Sequence, residues 1–513
     1  MHSNRAVPSP RVALTLMIAA AAIAACDRAG SKNAEVVQSG STLDDTIGAS
    51  YRYASPPPVR TYPSSYATIQ SWIDSGNTPA IRAHGWDIWQ SITSTTPDRM
   101  PTWQTWNSGQ EIFPPASQQA AIARPRHGII QFRAMRQEAE PSVAAGADTI
   151  RENRAERVFA FNRFTKPTAE YIWNHRLNKG NKLRDTSNGF ARARTPLALR
   201  EVLTSNDSTD SLSFVLKPVF QFISDTGVTA VPYWAGDSSA VTTDSANPIA
   251  KTWKQAVAVS PSGKYKPGDS VKVSVNGQPP RYITVVPLSA FYHVRITVQD
   301  SANFTQFGAE NGDFIGVGND TAKDSVLAAV RPGNYGLLMA MHVTGKEIPN
   351  WTWQSFWWAY NPNDPEYGAD RPKSIPAPWN HYNMTVAYSM LQPNGQQLIA
   401  YNPYLETSLG GYIPTLPPPS RDSTKWTGVT TNCMSCHRRA AIGYSRGSIV
   451  SPPYGPDSLI NPGDKWIFSQ PDSMSPGRVA TVKTDFLWSI VVRASVPTVA
   501  PMLPPKPTGK GRR

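Results

Sequence analysis

The sequence predicts an α+β fold: a helical N-terminal part, a β-rich antiparallel body, and an irregular C-terminal segment. Three observations carry this reading. Before about residue 195, apolar residues recur at helical spacing behind capping residues. From there to about residue 345 they alternate or run β-branched between Gly, Pro, Asn and Asp. From Ser420 onward, Pro and Gly interrupt most of the chain.

The N-terminus MHSNRAVPSPR carries Arg5 and Arg11 and no acid, and an apolar run of fourteen residues, Val12–Ala25, follows it. That run is too short to span a bilayer as a helix and ends in small residues, so residues 1–25 read as a signal peptide. Its last residues, Ile23-Ala24-Ala25-Cys26, resemble the lipobox of bacterial lipoproteins. The resemblance implies removal of residues 1–25, lipidation of Cys26 and an exported, periplasmic, membrane-anchored protein. Asp27 resembles an inner-membrane retention residue of some enterobacteria, and the choice of membrane stays open. Residues 26–60 are polar, Ser/Gly/Pro-rich and aperiodic, as a tether would be.

In the N-terminal part, 61–194, Ser64-Ser65 can cap YATIQSWI, and Ile81 to Ile92 places Ile81, Gly85, Ile88 and Ile92 near one helical face. Thr168–Asn178 is a third helical candidate, with His175 read as a surface histidine and Trp173 as packing. The body, 195–419, contains the strand candidates SLSFVLKPVFQFI, AVAVS, SVKVSVNG, RYITVVPL, FYHVRITVQD and YGLLMAMHVTG. SVKVSVNGQPPRYITVV reads as a hairpin. In NWTWQSFWWAYNP, Trp351, Trp353, Phe356, Trp357, Trp358 and Tyr360 read first as core packing, with a cofactor wall or sugar platform as the other uses of such rings. In the final segment, 420–513, RVATVKTDFLWSIVVRA reads as a helix or a strand.

The formal charge is +13, or +11 without Arg5 and Arg11, yet the basic residues are scattered apart from Arg438-Arg439 and the last few positions. No helix-turn-helix, zinc-finger spacing or long basic run is present, so nucleic acid is not an expected partner. No dinucleotide fingerprint or phosphate loop appears. With Cys26 acylated, only Cys433 and Cys436 remain, so no disulfide framework holds the fold.

Those two cysteines sit in TNCMSCHRRA as Cys-x-x-Cys-His. A structural zinc site wants a second ligand pair, and the chain has no second Cys pair or His-x-x-x-His. Thiol redox chemistry wants the motif at a helix start after a strand, whereas PTLPPPSRDSTKWTGVTTN precedes Cys433. Covalent haem c uses every residue: Cys433 and Cys436 form thioethers to the two vinyl groups, and His437 ligates the iron from the proximal side. An export signal agrees, because this haem is attached outside the cytoplasm. Gly443-Tyr444-Ser445-Arg446-Gly447 also matches Gly-x-Ser-x-Gly, but no histidine follows Ser445, so the hydrolase order of Ser, acid, His cannot be completed. The distal ligand stays open between Met474, with Met502 as a weaker second, and His342 on an apolar strand; a vacant sixth position is the third case.

GLLMAMHVTGKEIPNWTWQSFWW, IAYNPYLE, TNCMSCHRRA and TDFLWSI together resemble large, exported, single-haem bacterial cytochrome c family proteins over roughly residues 195–495. The resemblance implies that body and haem segment form one unit and supplies no substrate. The chain departs from small class I cytochromes in lacking a compact helix-rich domain around the motif, which weighs against Met474 and for His342. The expected function is therefore a lipid-anchored mono-haem c-type cytochrome transferring electrons between redox partner proteins. The alternative is a haem-dependent oxidoreductase or haem sensor whose body binds a substrate or ligand. Lys346 and Glu347, beside His342, are candidate polar site residues for that alternative, although a surface salt-bridged pair is the simpler expectation.

Overall fold

The computed structural model describes residues 54–97, 99–114, 149–152, 158–180, 212–235, 253–304, 313–315, 328–396, 398–405, 432–437, 440–445, 448–450 and 481–494. The expected signal peptide and most of the tether lie outside them. Helix α1 (Tyr66–Asp74) starts where Ser65, in extended backbone, accepts the Thr68 N–H at 3.2 Å. Helix α2 (Thr78–Thr93) starts ahead of the expected Ile81, because Asn77 caps it and Pro79 fits its first turn. Short elements follow: β1 (Asn107–Ser108), α3 (Gly109–Ile112), β2 (Ile150–Glu152), β3 (Val158–Ala160) and β4 (Arg163–Phe164). Helix α4 (Lys166–Asn174) ends at an exposed His175.

The body supplies β5 (Phe214–Ile223), β6 (Val228–Pro232), β7 (Ala256–Val259), β8 (Ser270–Val273), β9 (Arg281–Val286), β10 (His293–Arg295), α5 (Val298–Asn303), β11 (Asp313–Ile315), β12 (Tyr335–Gly345), β13 (Thr352–Trp358) and β14 (Tyr382–Ala387). Each expected strand segment contains a strand, and β8 and β9 form the expected antiparallel pair, with Asn276 and Gly277 both at positive φ. One segment differs. In FYHVRITVQD the strand stops at Arg295, and Val298 begins α5. Thr297 accepts the Asp300 N–H while the Asp300 carboxylate accepts the Thr297 N–H, and this capping box overrides the β-branched pattern.

After the body come α6 (Cys433–His437), β15 (Ala441–Ser445), β16 (Ser448–Val450), β17 (Thr481–Lys483) and α7 (Trp488–Arg493). TDFLWSI thus follows a strand and opens a helix. Ser445 of β15 pairs with Ser448 of the antiparallel β16, which is not the strand–turn–helix setting of a nucleophile elbow.

Among the described residues, a nine-stranded sheet runs β1-β4-β5-β12-β13-β14, with β3, β10 and β11 alongside. Its centre is the long antiparallel pair β5–β12, from Tyr335↔Ile223 to Gly345↔Phe214. Strands β1, β3 and β4 come from the N-terminal part, so that part and the body share one sheet. A five-stranded sheet, β2-β6-β7-β9-β8, has its own small core of Val228, Val271, Ile283 and neighbours.

Strand alternation gives the central sheet two covered faces. Met341, Val343, Gln354 and Phe356 point to one face. There Trp89 of α2 stacks on Phe356 at 4.1 Å, and Gly85 admits the sheet so closely that a Cβ would sit 2.8 Å from Met384 Sδ. His342, Thr344, Trp353 and Ser355 point to the other face, as the pairs Thr344↔Trp353 and His342↔Ser355 require. At the end nearest Gly345 that face is covered by residues 398–400, α6 and the 484–494 segment, in a cluster holding Val215, Trp353, Ala387, Cys433, Phe486 and Ile490.

Candidate functional site

Helix α6 is one turn and a half long and carries the whole CMSCH motif. Asn432, just before it, pairs with Ala400 as an isolated bridge, and its side-chain N–H groups donate to Ser389 O at 3.2 Å and Leu398 O at 2.8 Å. These contacts pin the start of the motif to the IAYNPYLE segment. Cys433 is buried in the apolar cluster, its Sγ 4.0 Å from Ala400 O, and Met434 beside it is also buried. A buried, apolar cysteine environment suits a thioether and disfavours a reactive thiolate.

His437 sits at the end of α6, half-buried, with its ring against Trp353 at a centroid distance of 4.4 Å. Its Nδ1 lies 2.8 Å from the carbonyl oxygen of Phe486. A carbonyl only accepts, so Nδ1 carries the proton and Nε2 carries the lone pair. This is the tautomer a metal-ligating histidine adopts when its other nitrogen is anchored to the backbone. The environments of Cys433 and His437 therefore fit the residues a covalent haem c requires of this motif.

The Phe486 carbonyl is itself held. Asp485 and Phe486 both adopt positive φ, at 45° and 68°, in a turn closed by Leu487 N–H to Thr484 O. Thr484 N–H donates to Ala440 O at 3.0 Å, directly after the motif. Asp485 Oδ1 lies 2.8 Å from Lys346 Nζ, which also donates to Pro349 O at 2.8 Å and sits 5.2 Å over the Trp351 ring.

Lys346 and Glu347 depart from the surface-pair expectation: they are 3% and 0% exposed and bind different partners. Glu347 Oε1 lies 3.2 Å from His84 Nε2, and Oε2 accepts the Thr352 hydroxyl at 3.0 Å. His84 Nδ1 meets the Tyr388 hydroxyl at 2.5 Å, and that hydroxyl accepts Gln354 Nε2–H at 2.8 Å. Burial first, then the Glu347 carboxylate, push the Tyr388 hydroxyl well above its usual range, so it stays neutral and donates to His84. The surface expectation failed because the tight GKEIPNW turn is roofed on one side by α2 and on the other by residues 484–487, neither of which is close in sequence.

A cavity of about 210 Å³ lies beside this turn, between Tyr66 and Gln70 of α1, Ile348, Tyr388 and Met390, and it reaches Met434 of the motif. Its size admits a small organic molecule.

His342 is partly buried on the same sheet face as Trp353, with Nδ1 2.9 Å from Ser355 Oγ. Ser355 Oγ also accepts from Asn402 Nδ2 at 2.9 Å, so His342 is tied to the IAYNPYLE segment that pins the motif. The structure thus brings Cys433, His437 and Trp353 together and sets His342 on the face they occupy. Cys26, Met474 and Met502 lie outside the described residues. Of the aromatic segment, Trp351, Trp353, Phe356, Trp357 and Trp358 are buried and Tyr360 is exposed. Sequence reasoning missed His84, Tyr388, Asp485 and Phe486. A polar residue inside an apolar helix face, as His84 is between Ile81 and Ile88, was the one available signal.

Comparisons of the chain with protein-family models, with curated proteins and with solved structures find no match.

Proposed function

We propose that the chain is an exported, lipid-anchored, mono-haem c-type cytochrome that transfers electrons between redox partner proteins. The observation that supports it most is the His437 Nδ1–H bond to the Phe486 carbonyl, which leaves the lone pair on Nε2 at the histidine of a CMSCH motif. The haem iron, when present, cycles between two oxidation states and so carries one electron. The chain's own residues do the rest. Cys433 and Cys436 hold the group covalently, and His437 supplies the proximal nitrogen. Phe486 orients the imidazole through Nδ1, and Trp353 braces its face. The apolar cluster around Cys433 limits water near the site. His342 and Met474 are the proposed distal ligands, with His342 favoured by its place on the Trp353 face. Cys26 is the proposed lipid anchor and the periplasm the proposed compartment, with inner or outer membrane open.

A second reading, a haem-dependent oxidoreductase or sensor, draws on the cavity that reaches Met434, where a small substrate would lie beside the motif.

Export of the chain in a host that matures c-type cytochromes tests the first reading. A denaturing gel stained for haem and a pyridine haemochrome spectrum should show one covalent haem per chain. Cys433→Ala with Cys436→Ala should abolish it, and a wild-type chain without covalent haem refutes the proposal. A low-spin spectrum indifferent to carbon monoxide and peroxide favours the carrier; a high-spin iron that binds them favours the second reading. Replacing His342 and Met474 separately assigns the low-spin bands.

A further inference from the structure

We infer that Lys346 and Asp485 are positioning residues for the His437 imidazole: their buried ion pair holds the Phe486 carbonyl on Nδ1 and so keeps the ring in its Nδ1–H tautomer. The inference rests on the reading of His437 as the proximal haem ligand and adds to it a device in the body, far from the motif in sequence.

In water a neutral histidine carries its proton mainly on Nε2, so a ring meant to ligate through Nε2 needs an acceptor fixed at Nδ1. That acceptor, Phe486 O, belongs to two consecutive non-glycine residues in left-handed backbone. Such backbone persists only where surrounding contacts over-determine it. One set of contacts comes from the chain next to the motif, Thr484 to Ala440. The other comes from the body, Lys346 to Asp485 at 2.8 Å with both side chains almost fully buried. Lys346 is fixed in turn by Pro349 O and the Trp351 face. With Lys346 removed, the Asp485 carboxylate loses the ammonium it faces at 2.8 Å, and the turn loses that tie to the body. The Phe486 carbonyl, one residue along, would then leave His437.

The test reads the tautomer directly. The full chain carrying Cys433→Ala and Cys436→Ala keeps His437 visible without haem, and long-range proton–nitrogen correlation spectra distinguish pyrrole-like from pyridine-like ring nitrogens. His437 should show its proton on Nδ1. Lys346→Met combined with Asp485→Asn removes both charges, leaving none stranded, and should return His437 to a mixture dominated by Nε2–H. Lys346→Arg, which can still pair with Asp485, should keep the Nδ1–H form. An unchanged tautomer in the folded double variant overturns the inference. A second measurement stands if that variant does not fold: the midpoint potential of the haem-loaded chain with Lys346→Gln. Loss of a nearby positive charge alone lowers the potential, whereas loosening the Nδ1–H bond makes the imidazole a poorer donor and raises it. A rise is expected, and a fall overturns the inference. A wild-type chain with no haemochrome spectrum sinks the proposed function instead, and that failure is visible separately from the tautomer.

Discussion

Lys346 and Glu347 are adjacent, both buried, and serve opposite sides of the central sheet. Glu347 faces α2 and enters a network in which His84, Tyr388, Gln354 and Thr352 are each bonded to at least one other member. That side is also packed by rings, with Trp89 stacked on Phe356 and in T-shaped contact with Trp379. Lys346 faces the C-terminal segment, pairing with Asp485 and lying over the Trp351 ring. The α2 side is therefore held redundantly, by area and by a shared network. The motif side joins an apolar cluster around Trp353, Cys433 and Phe486 to a buried ion pair between Lys346 and Asp485. Removing one member of the network leaves most of the others bonded, whereas neutralising one member of a buried ion pair leaves the other charge without that counter-ion.

The largest expected effect lies on the motif side. Lys346→Met should destabilise the chain by about 3–5 kcal/mol, because it removes the ammonium that the buried Asp485 carboxylate faces at 2.8 Å. Urea denaturation of the full chain measures it. Adding Asp485→Asn should recover most of the loss. Equal instability of the single and double variants would mean that packing of the lysine stem, and not its charge, holds this side.

On the α2 side the matching lesion is Tyr388→Phe, which deletes one hydroxyl and keeps the ring. His84 Nδ1 and Gln354 Nε2 each lose a partner in a dry site, and the cost should be about 1–3 kcal/mol by the same denaturation. A loss as large as that of Lys346→Met would erase the contrast between a network and an ion pair.

Much of this architecture was legible in the sequence, and the reasons are local. β12 is bounded as YGLLMAMHVTG predicts, since an apolar β-rich run ended by Gly needs no distant information. The same holds for α1, whose Ser65 cap is written beside it. CMSCH stands out as a motif because its residue types and spacing are local in the sequence. The partners of Lys346 and Glu347 were not legible: Asp485 is 139 residues from Lys346, and His84 is 263 from Glu347. No periodicity reports which helix or turn folds back over a given strand end. The α5 cap was legible in principle, but Thr297 and Val298 also fit the preceding strand, and only the Asp300 bond decides.

Mild acid should separate the two sides further. Burial lowers the pKa of His293 below 6.5, against backbone hydrogen bonds that oppose it, and burial lowers that of His381 likewise. His293 lies on β10, which pairs β12, and His381 stacks near Trp358, within the main aromatic core. For each, the unfolded chain takes up a proton near pH 6.5 that the folded chain resists. The stability they contribute is therefore whole above about pH 6.5 and falls as pH drops toward the folded pKa. Denaturation midpoints at pH 7.5, 6.5 and 5.5 should fall in that order, and His293→Gln should flatten the fall. An unchanged slope in that variant would assign the acid sensitivity to other groups.

The smallest expected effect tests whether the two sides are independent. Ser65→Ala removes the N-cap of α1, a solvent-exposed bond at 3.2 Å, and should cost about 0.5–1 kcal/mol. Helix α1 packs toward the α2 side through Ile69, yet its Tyr66 and Gln70 also line the cavity that reaches Met434. Hydrogen exchange resolves the two directions, because a loss of that size speeds local opening by roughly two- to fivefold where it is felt. Amides of α1 should exchange faster in Ser65→Ala while those of α6 keep the wild-type rate. Acceleration in α6 as well would show that the cavity transmits loosening to the motif, and the redundancy of the α2 side would then be supporting the motif side too.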